Sequence, residues 1–320
     1  MSLGIVIPVW NDPEGLKRLL SQIASLKIAE QIVVVDDSSD TERKCDIKAI
    51  YPDLPITLIE LEERRGAGYA RNCGLSAIST EHVIFFDSDD LFLEGILALY
   101  RRLQGRDFDF CIFRHVDSRE RESGHIGMMS SDQDCWDKAG MQSAALSLLD
   151  TAQAAALAPV AAYPWNKIYR TAFLRNNGIR CTEIPVHNDI ELHWRSFLSA
   201  KRILASSFLC AEHFVVDNGE RLTNRSCHTR LRVFEALTPL HSLLRNHVQP
   251  TLFLVPFMGF YTRLFYWISE NLDAEHQPQF HRLATKFILS QPTEEELSLF
   301  ALWDPITAED MLRLVKRGLQ

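Results

Sequence analysis

The chain has 320 residues, of which 46% are hydrophobic and 24% charged, a balance that fits an ordinary globular protein with a sizeable core. Its formal net charge of −8 excludes a nucleic-acid binder, because neutralising a phosphate backbone needs a basic face. The seven cysteines are dispersed without any Cys-x-x-Cys pair, and no charged segment leads into an apolar run at the amino terminus, so reduced thiols and a cytoplasmic location are expected.

Ile5 to Val9 is a short, continuously apolar run, as a strand covered on both faces requires. Asp12 and Pro13 then supply a helix N-cap and first helical residue, with Leu16, Leu19, Leu20 and Ile23 at helical spacing. Ile32 to Val35 is a second strand, Thr57 to Leu61 a third and His82 to Phe86 a fourth, with a helix from Gly68 to Ile78 between the last two. Glu94 to Leu103 reads as a helix closed by Gly105, and Phe108 to Val116 as a further strand. This alternation predicts an α/β fold with a mostly parallel sheet and helices on both faces. Ser118 to Asp134 is polar and reads as a loop; residues 142–158 read as a helix. Asn188 to Ala200 is expected to be helical, followed by strands at 202–206 and 208–216. The chain looks mainly helical from Thr229, which places a domain boundary near residue 225: 1–225 for the α/β unit and 226–320 for a helical region.

Ligands of open α/β sheets bind beyond the carboxyl ends of the strands. Trp10-Asn11-Asp12, Asp36-Asp37-Ser38-Ser39-Asp40 and Asp87-Ser88-Asp89-Asp90 directly follow the first, second and fourth strands, so the acids converge on one edge. Three carboxylates within four residues repel unless a cation joins them, and such oxygens suit Mg²⁺ or Mn²⁺. Gly66, Gly68 and Arg71 lie at the start of a helix, where backbone N–H groups and a guanidinium can hold a diphosphate.

Four blocks, Ile-Val-Ile-Pro-Val-Trp-Asn, Val-Val-Asp-Asp-Ser-Ser-Asp, Gly-Tyr-Ala-Arg-Asn-Cys-Gly and Phe-Phe-Asp-Ser-Asp-Asp, resemble in order and spacing those of family 2 glycosyltransferases. The resemblance implies a GT-A fold, a nucleotide-sugar donor of the uridine diphosphate kind, a divalent cation and inversion at the anomeric carbon. It implies that Pro8 and Trp10 line the nucleoside pocket and that Asp37 accepts a bond from the base. Asp87 and Ser88 would adjoin the ribose, with Gly68 and Arg71 at the diphosphate, Asp89 as principal metal ligand and Asp90 assisting. Pro164 to Arg170 resembles the Trp-Asn-Lys segment of transferases acting on polysaccharide precursors; Lys167 within it reads either as a phosphate contact or as a side chain snorkelling over the sheet. In such relatives a Glu-Asp pair follows, the Asp acting as base on the acceptor; here Asn188 and Asp189 hold those positions. Asp189 is therefore the expected base, with a helix N-cap or first-turn acid as its other reading and Glu191 next in line. His187, His193, His213 and His228 are candidate further metal ligands, with His228 preferred because some relatives use a late ligand.

The acceptor reads as a saccharide or lipid-linked saccharide. The region from 226 onward is left for acceptor binding, self-association or contact with the inner face of a membrane. Its most apolar stretch, Thr251 to Ile268, reads as a core or interface helix, interrupted by Pro256, Gly259 and Arg263. A nucleotidyltransferase is the weaker enzymatic alternative, since no glycine-rich loop follows the first strand. A non-catalytic nucleotide-sugar binding protein is the alternative outside enzymes, and Asn188 is the feature that favours it.

Overall fold

The structure, a computed structural model, describes residues 1–122, 124–143, 145–214 and 227–320. Nine strands form one mixed sheet: β1 (Leu3–Val9), β2 (Gln31–Asp36), β3 (Ile56–Glu60), β4 (His82–Phe85), β5 (Leu91–Phe92), β6 (Phe110–Asp117), β7 (Ser147–Leu148), β8 (Lys167–Arg170) and β9 (Ile203–His213). Their order is β3-β2-β1-β4-β8-β6-β9-β5, with β7 also on β9. The first four run parallel, as the alternation of strands and helices requires. β8 enters antiparallel between β4 and β6, and β6 runs parallel to β9.

Period-two geometry explains why these strands read as unbroken apolar runs. Val6, Val33, Val35, Val83 and Phe85 point into one core, shared with the helix Ala67–Ala77 and with helices nearer the carboxyl terminus. Ile5, Ile7, Ile32, Val34, Ile84 and Phe86 point to the other face, under the helices Pro13–Leu26 and Gly95–Leu103. Asp12 caps the first of these helices by accepting from Gly15 N at 3.0 Å.

Three expected elements are corrected. The polar stretch 118–134 is not a loop throughout: it holds a short helix, Ser118–Glu122, and the start of another, Ser130–Lys138. The second exists because Cys135 and Trp136 are buried in the core, a tertiary gain that overrides its polar composition. The helix expected over 142–158 is only Thr151–Leu157, since Asp150 closes its start in a capping box with Gln153 and β7 precedes it. The two strands expected at 202–206 and 208–216 are the single strand β9. Its register against β6 shifts beside Arg114, so a bulge absorbs the polar Ser206-Ser207 step.

Five helices follow residue 232: Val233–Arg245, Pro250–Glu270, Gln277–Ser290, Glu294–Trp303 and Pro305–Leu319. The boundary near 225 lies outside the described residues, but the core itself is continuous across the two regions, running from Val6 and Val33 through Trp194 to Phe257 and Leu314. The 21-residue helix Pro250–Glu270 is long and apolar enough to cross a membrane by length and composition, yet half of its most apolar window is buried. Phe257 and Tyr261 on that helix pack edge-on against Trp194 and Phe287 respectively, so it serves as a core helix.

Candidate active site

The ends of β1, β2 and β4 lie side by side, which gathers the acids that the sequence spreads over eighty residues. Asp37, 3% exposed, accepts backbone N–H bonds from Arg65 at 2.6 Å and Gly66 at 2.8 Å. Burial pushes its carboxyl up, and the two backbone bonds only partly offset this. Asp37 thus fastens the glycine loop to the end of β2. Gly66 turns there with φ +89°, a left-handed conformation that costs a residue with a Cβ. Pro8 is buried in β1 opposite Val35, and the Arg64 guanidinium lies 3.3 Å over the Trp10 ring.

Asp87, Asp89 and Asp90 each offer an oxygen within 4.8 Å of the others, the arrangement expected from their spacing. Asp90 is 1% exposed: its Oδ1 accepts from His213 Nδ1 at 2.9 Å and from Phe214 N at 3.0 Å, while its buried Oδ2 has no hydrogen-bond partner among the described residues. An orphaned buried carboxylate oxygen beside two further carboxylates fits a hard divalent cation, and these are the residues that could hold Mg²⁺ or Mn²⁺. Ser88 does not point to this group; its hydroxyl bonds Asp12 at 2.8 Å, joining the two strand ends. Arg18 donates to the backbone carbonyl of Asp89 at 2.9 Å.

Arg71 is 5% exposed and bridges two loops, donating to Asp87 Oδ1 at 2.6 Å and to Asn188 Oδ1 at 2.6 Å. Burial opposes its charge, but Asp87 outweighs this and holds the guanidinium firmly protonated. Gly68 has a role that the sequence did not reveal. A Cβ there would meet Thr182 O at 2.4 Å and Asn188 Cβ at 2.9 Å, so its absence lets the helix Ala67–Ala77 close on the segment before Asp189.

Asp189 precedes the helix Ile190–Ser199 in helical conformation and makes no side-chain capping bond. Its carboxyl is pushed up by burial and pulled down in part by Arg71. Asp189 thus stands at the N-cap position without the side-chain bond of a capping residue. Glu191 is occupied, accepting from Arg195 Nε at 2.7 Å and from the Thr182 hydroxyl at 2.7 Å. Lys167, fully buried, donates to the Tyr163 carbonyl at 2.8 Å and to the Asn166 side chain. Burial pulls its pKa down to about 7 against the pull of Asp189 and Asp132.

Of the four candidate histidines, His213 is the one bonded to the acid group. His193 bonds the Ala158 carbonyl at 2.8 Å, and His187 meets Arg230 at 3.3 Å. His228 is not part of the acid group; its ring lies against His276, 5.8 Å between centroids.

The family model for glycosyl transferase family 2 matches residues 4–163, half of the chain. The chain belongs to this family. Two relatives are similar over part of their length. It is 34% identical over 110 residues to an uncharacterized glycosyltransferase, YwdF, of Bacillus subtilis (strain 168), covering 34% of this chain and 40% of the relative. It is 32% identical over 139 residues to the minor teichoic acid biosynthesis protein GgaA of the same organism, covering 38% of this chain and 29% of the relative. The chain thus spans less than half the length of either. The fold is that of S. aureus TarS 1–349, solved in complex with UDP-GlcNAc, with a TM-score of 0.77 and 21% identity over 99% of this chain and 89% of that one. The GT-A fold expected for the family, with its mixed sheet, flanking helices and helical carboxyl-terminal region, is the fold found.

Two partnerships escaped sequence reasoning. His213 carried a signal, since it ends a strand as the acids do, but no spacing linked it to Asp90, 123 residues away. The Arg71–Asn188 bond joins residues 117 apart and had no local signal at all.

Proposed function

We propose that the chain is a metal-dependent, inverting glycosyltransferase moving a sugar from a UDP-sugar to an acceptor hydroxyl in cell-surface polysaccharide synthesis. The observation that carries this reading is the Asp87, Asp89 and Asp90 group, whose buried Asp90 Oδ2 has no hydrogen-bond partner among the described residues. Asp89 and Asp90 would hold Mg²⁺ or Mn²⁺, which when bound supplies charge neutralisation for the departing diphosphate. Pro8 and Trp10 line the nucleoside pocket, and the carboxylate of Asp37 keeps acceptor capacity for a base N–H beyond its two backbone bonds. Arg71 and the first turn of the helix Ala67–Ala77 face the diphosphate with positive charge.

Asp189 takes the proton of the acceptor hydroxyl as its oxygen bonds the anomeric carbon and the bond to diphosphate breaks on the opposite face. A carboxyl pushed up by burial holds that proton better than an exposed one. The neighbour solved with UDP-GlcNAc and the teichoic acid relative support the donor class and the pathway setting. The acceptor in this reading is a saccharide or lipid-linked saccharide, met on the cytoplasmic face of the membrane. Amino-terminal residues 1–225 serve the donor and the region beyond serves the acceptor side or self-association.

The second reading, a nucleotide-sugar binding protein without turnover, is favoured by Asn188 in place of an acid. Release of UDP from UDP-N-acetylglucosamine and related UDP-sugars with Mn²⁺, in the presence of saccharide acceptors, separates the two. Tight binding without release under any acceptor supports the second.

A further inference from the structure

The segment that carries Asp189 is held from outside the donor half. His187, two residues before Asp189, has φ +60°, a left-handed conformation uncommon for residues with a Cβ though better tolerated by histidine than by most. Its side chain meets residues of the carboxyl-terminal region. Arg230, 2% exposed in the short 3₁₀ turn His228–Arg232, donates to His187 Nε2 at 3.3 Å. The same guanidinium lies 4.5 Å over the ring of Trp267, and the His187 ring meets Trp267 edge-on at 6.0 Å between centroids. His187 is therefore gripped on two sides by residues 43 and 80 positions further along the chain. Burial, then Arg230, pulls its pKa down to about 3, so the ring is neutral and its Nε2 accepts.

We infer that Arg230 and Trp267 form a clamp on His187 through which the carboxyl-terminal helices position Asp189. The inference rests on Asp189 being the base, as proposed above. Arg230 and Trp267 are positioning residues: they act on the reaction through the backbone of 186–189. On the opposite side the Arg71–Asn188 bond holds the same segment to the donor loops. Asp189 is thus suspended between the two regions, and a chain cut near residue 225 would lack half of its support. Arginine suits the task because its planar guanidinium can stack on an indole and donate in its own plane at once, which a lysine ammonium cannot.

The test uses the full chain and two variants, Arg230→Ala and His187→Asn. Asparagine tolerates left-handed backbone, so the second variant removes the gripped ring while sparing the turn. Hydrogen exchange of the peptide covering 184–192 should quicken about tenfold or more in both, while β1, β2 and β4 exchange as before. Unchanged exchange in 184–192, or a uniform rise across the chain, overturns the clamp, and this arm needs no substrate. UDP release from UDP-N-acetylglucosamine with Mn²⁺, in the presence of saccharide acceptors, supplies the second arm. Arg230→Ala should lower kcat about tenfold with KM for the donor unchanged, and should add nothing further in an Asp189→Asn background. Losses that multiply in the double variant overturn positioning through Asp189. If Asp189→Asn alone turns over like the parent, the base assignment fails while the exchange result stands.

Discussion

The Arg71 guanidinium donates to the Asn188 side-chain oxygen at 2.6 Å, so the residue standing where the resemblance leads one to expect an acid is in direct contact with the buried guanidinium of the site. An acid at this position would give Arg71 two carboxylate partners, Asp87 and itself. With asparagine the contact survives but one negative charge is missing, and the charge beside Asp189 is more positive.

Arg71→Met would remove both bridging bonds and leave Asp87 without its cation. Breaking a buried pair costs about 3–5 kcal/mol, and Asp87 retains some contact with water, so a loss near the lower end is expected. Urea denaturation of the variant should show a lower midpoint with an unchanged slope. A midpoint equal to the parent's would mean that the bridge contributes no net stability.

Nucleotide and metal should stabilise the chain together. UDP with Mn²⁺ at about a hundred times its dissociation constant adds about 2.7 kcal/mol, which for a chain of this length is a rise of a few degrees in Tm. Asp89→Ala should abolish the part of the rise that depends on Mn²⁺. Differential scanning with and without metal reads both effects, and a metal-dependent rise that survives Asp89→Ala would move the ligand role elsewhere.

Asp189→Asn should lower kcat by about 10²–10⁴-fold while UDP affinity, measured by calorimetry, stays near that of the parent. The proton-accepting form is the carboxylate, and burial raises the carboxyl pKa. The acidic limb of the rate profile should therefore lie above the usual carboxylate range, with rate lost as pH falls through that raised value. Glu191→Gln, by contrast, should act through stability, because its oxygens hold Arg195 and Thr182.

Acid should weaken the fold through its buried histidines. Burial pulls His115 and His187 down to about 3 and His82 and His241 down to about 4. Each folded pKa lies below the unfolded value of about 6.5, so the stabilisation is complete above that pH and is lost as pH falls toward the folded values. Asp132, pushed up to about 6 by burial, works in the opposite sense as pH falls from there toward its unfolded value, and offsets part of one histidine. His241 sits among Phe257, Tyr261 and Phe287, and neither ring nitrogen has a hydrogen-bond partner among the described residues. His241→Phe should therefore gain about 1 kcal/mol relative to the parent between pH 7.5 and 5.5, read from urea midpoints at the two values.

What the chain's sequence determined by itself was local and periodic: apolar runs that had to be strands buried on both faces, a capped helix after the first, and acids after three strand ends. Parallel strands bring such ends together, so the Asp87, Asp89 and Asp90 group and its neighbours were legible before any fold was known. The polar helix Ser130–Lys138 was not, because the burial of Cys135 and Trp136 that stabilises it comes from distant packing. The strand β8 was hidden as well, four residues long and bounded by Lys167 and Arg170. Tertiary structure alone decided which histidine meets Asp90, that Asn188 receives Arg71, and that Arg230 grips His187. Those pairs lie 123, 117 and 43 residues apart, and a hydrogen bond across such separations leaves no period in the sequence. The sheet's own topology brings the first two pairs within reach, and the packing of the carboxyl-terminal region against the same core brings the third.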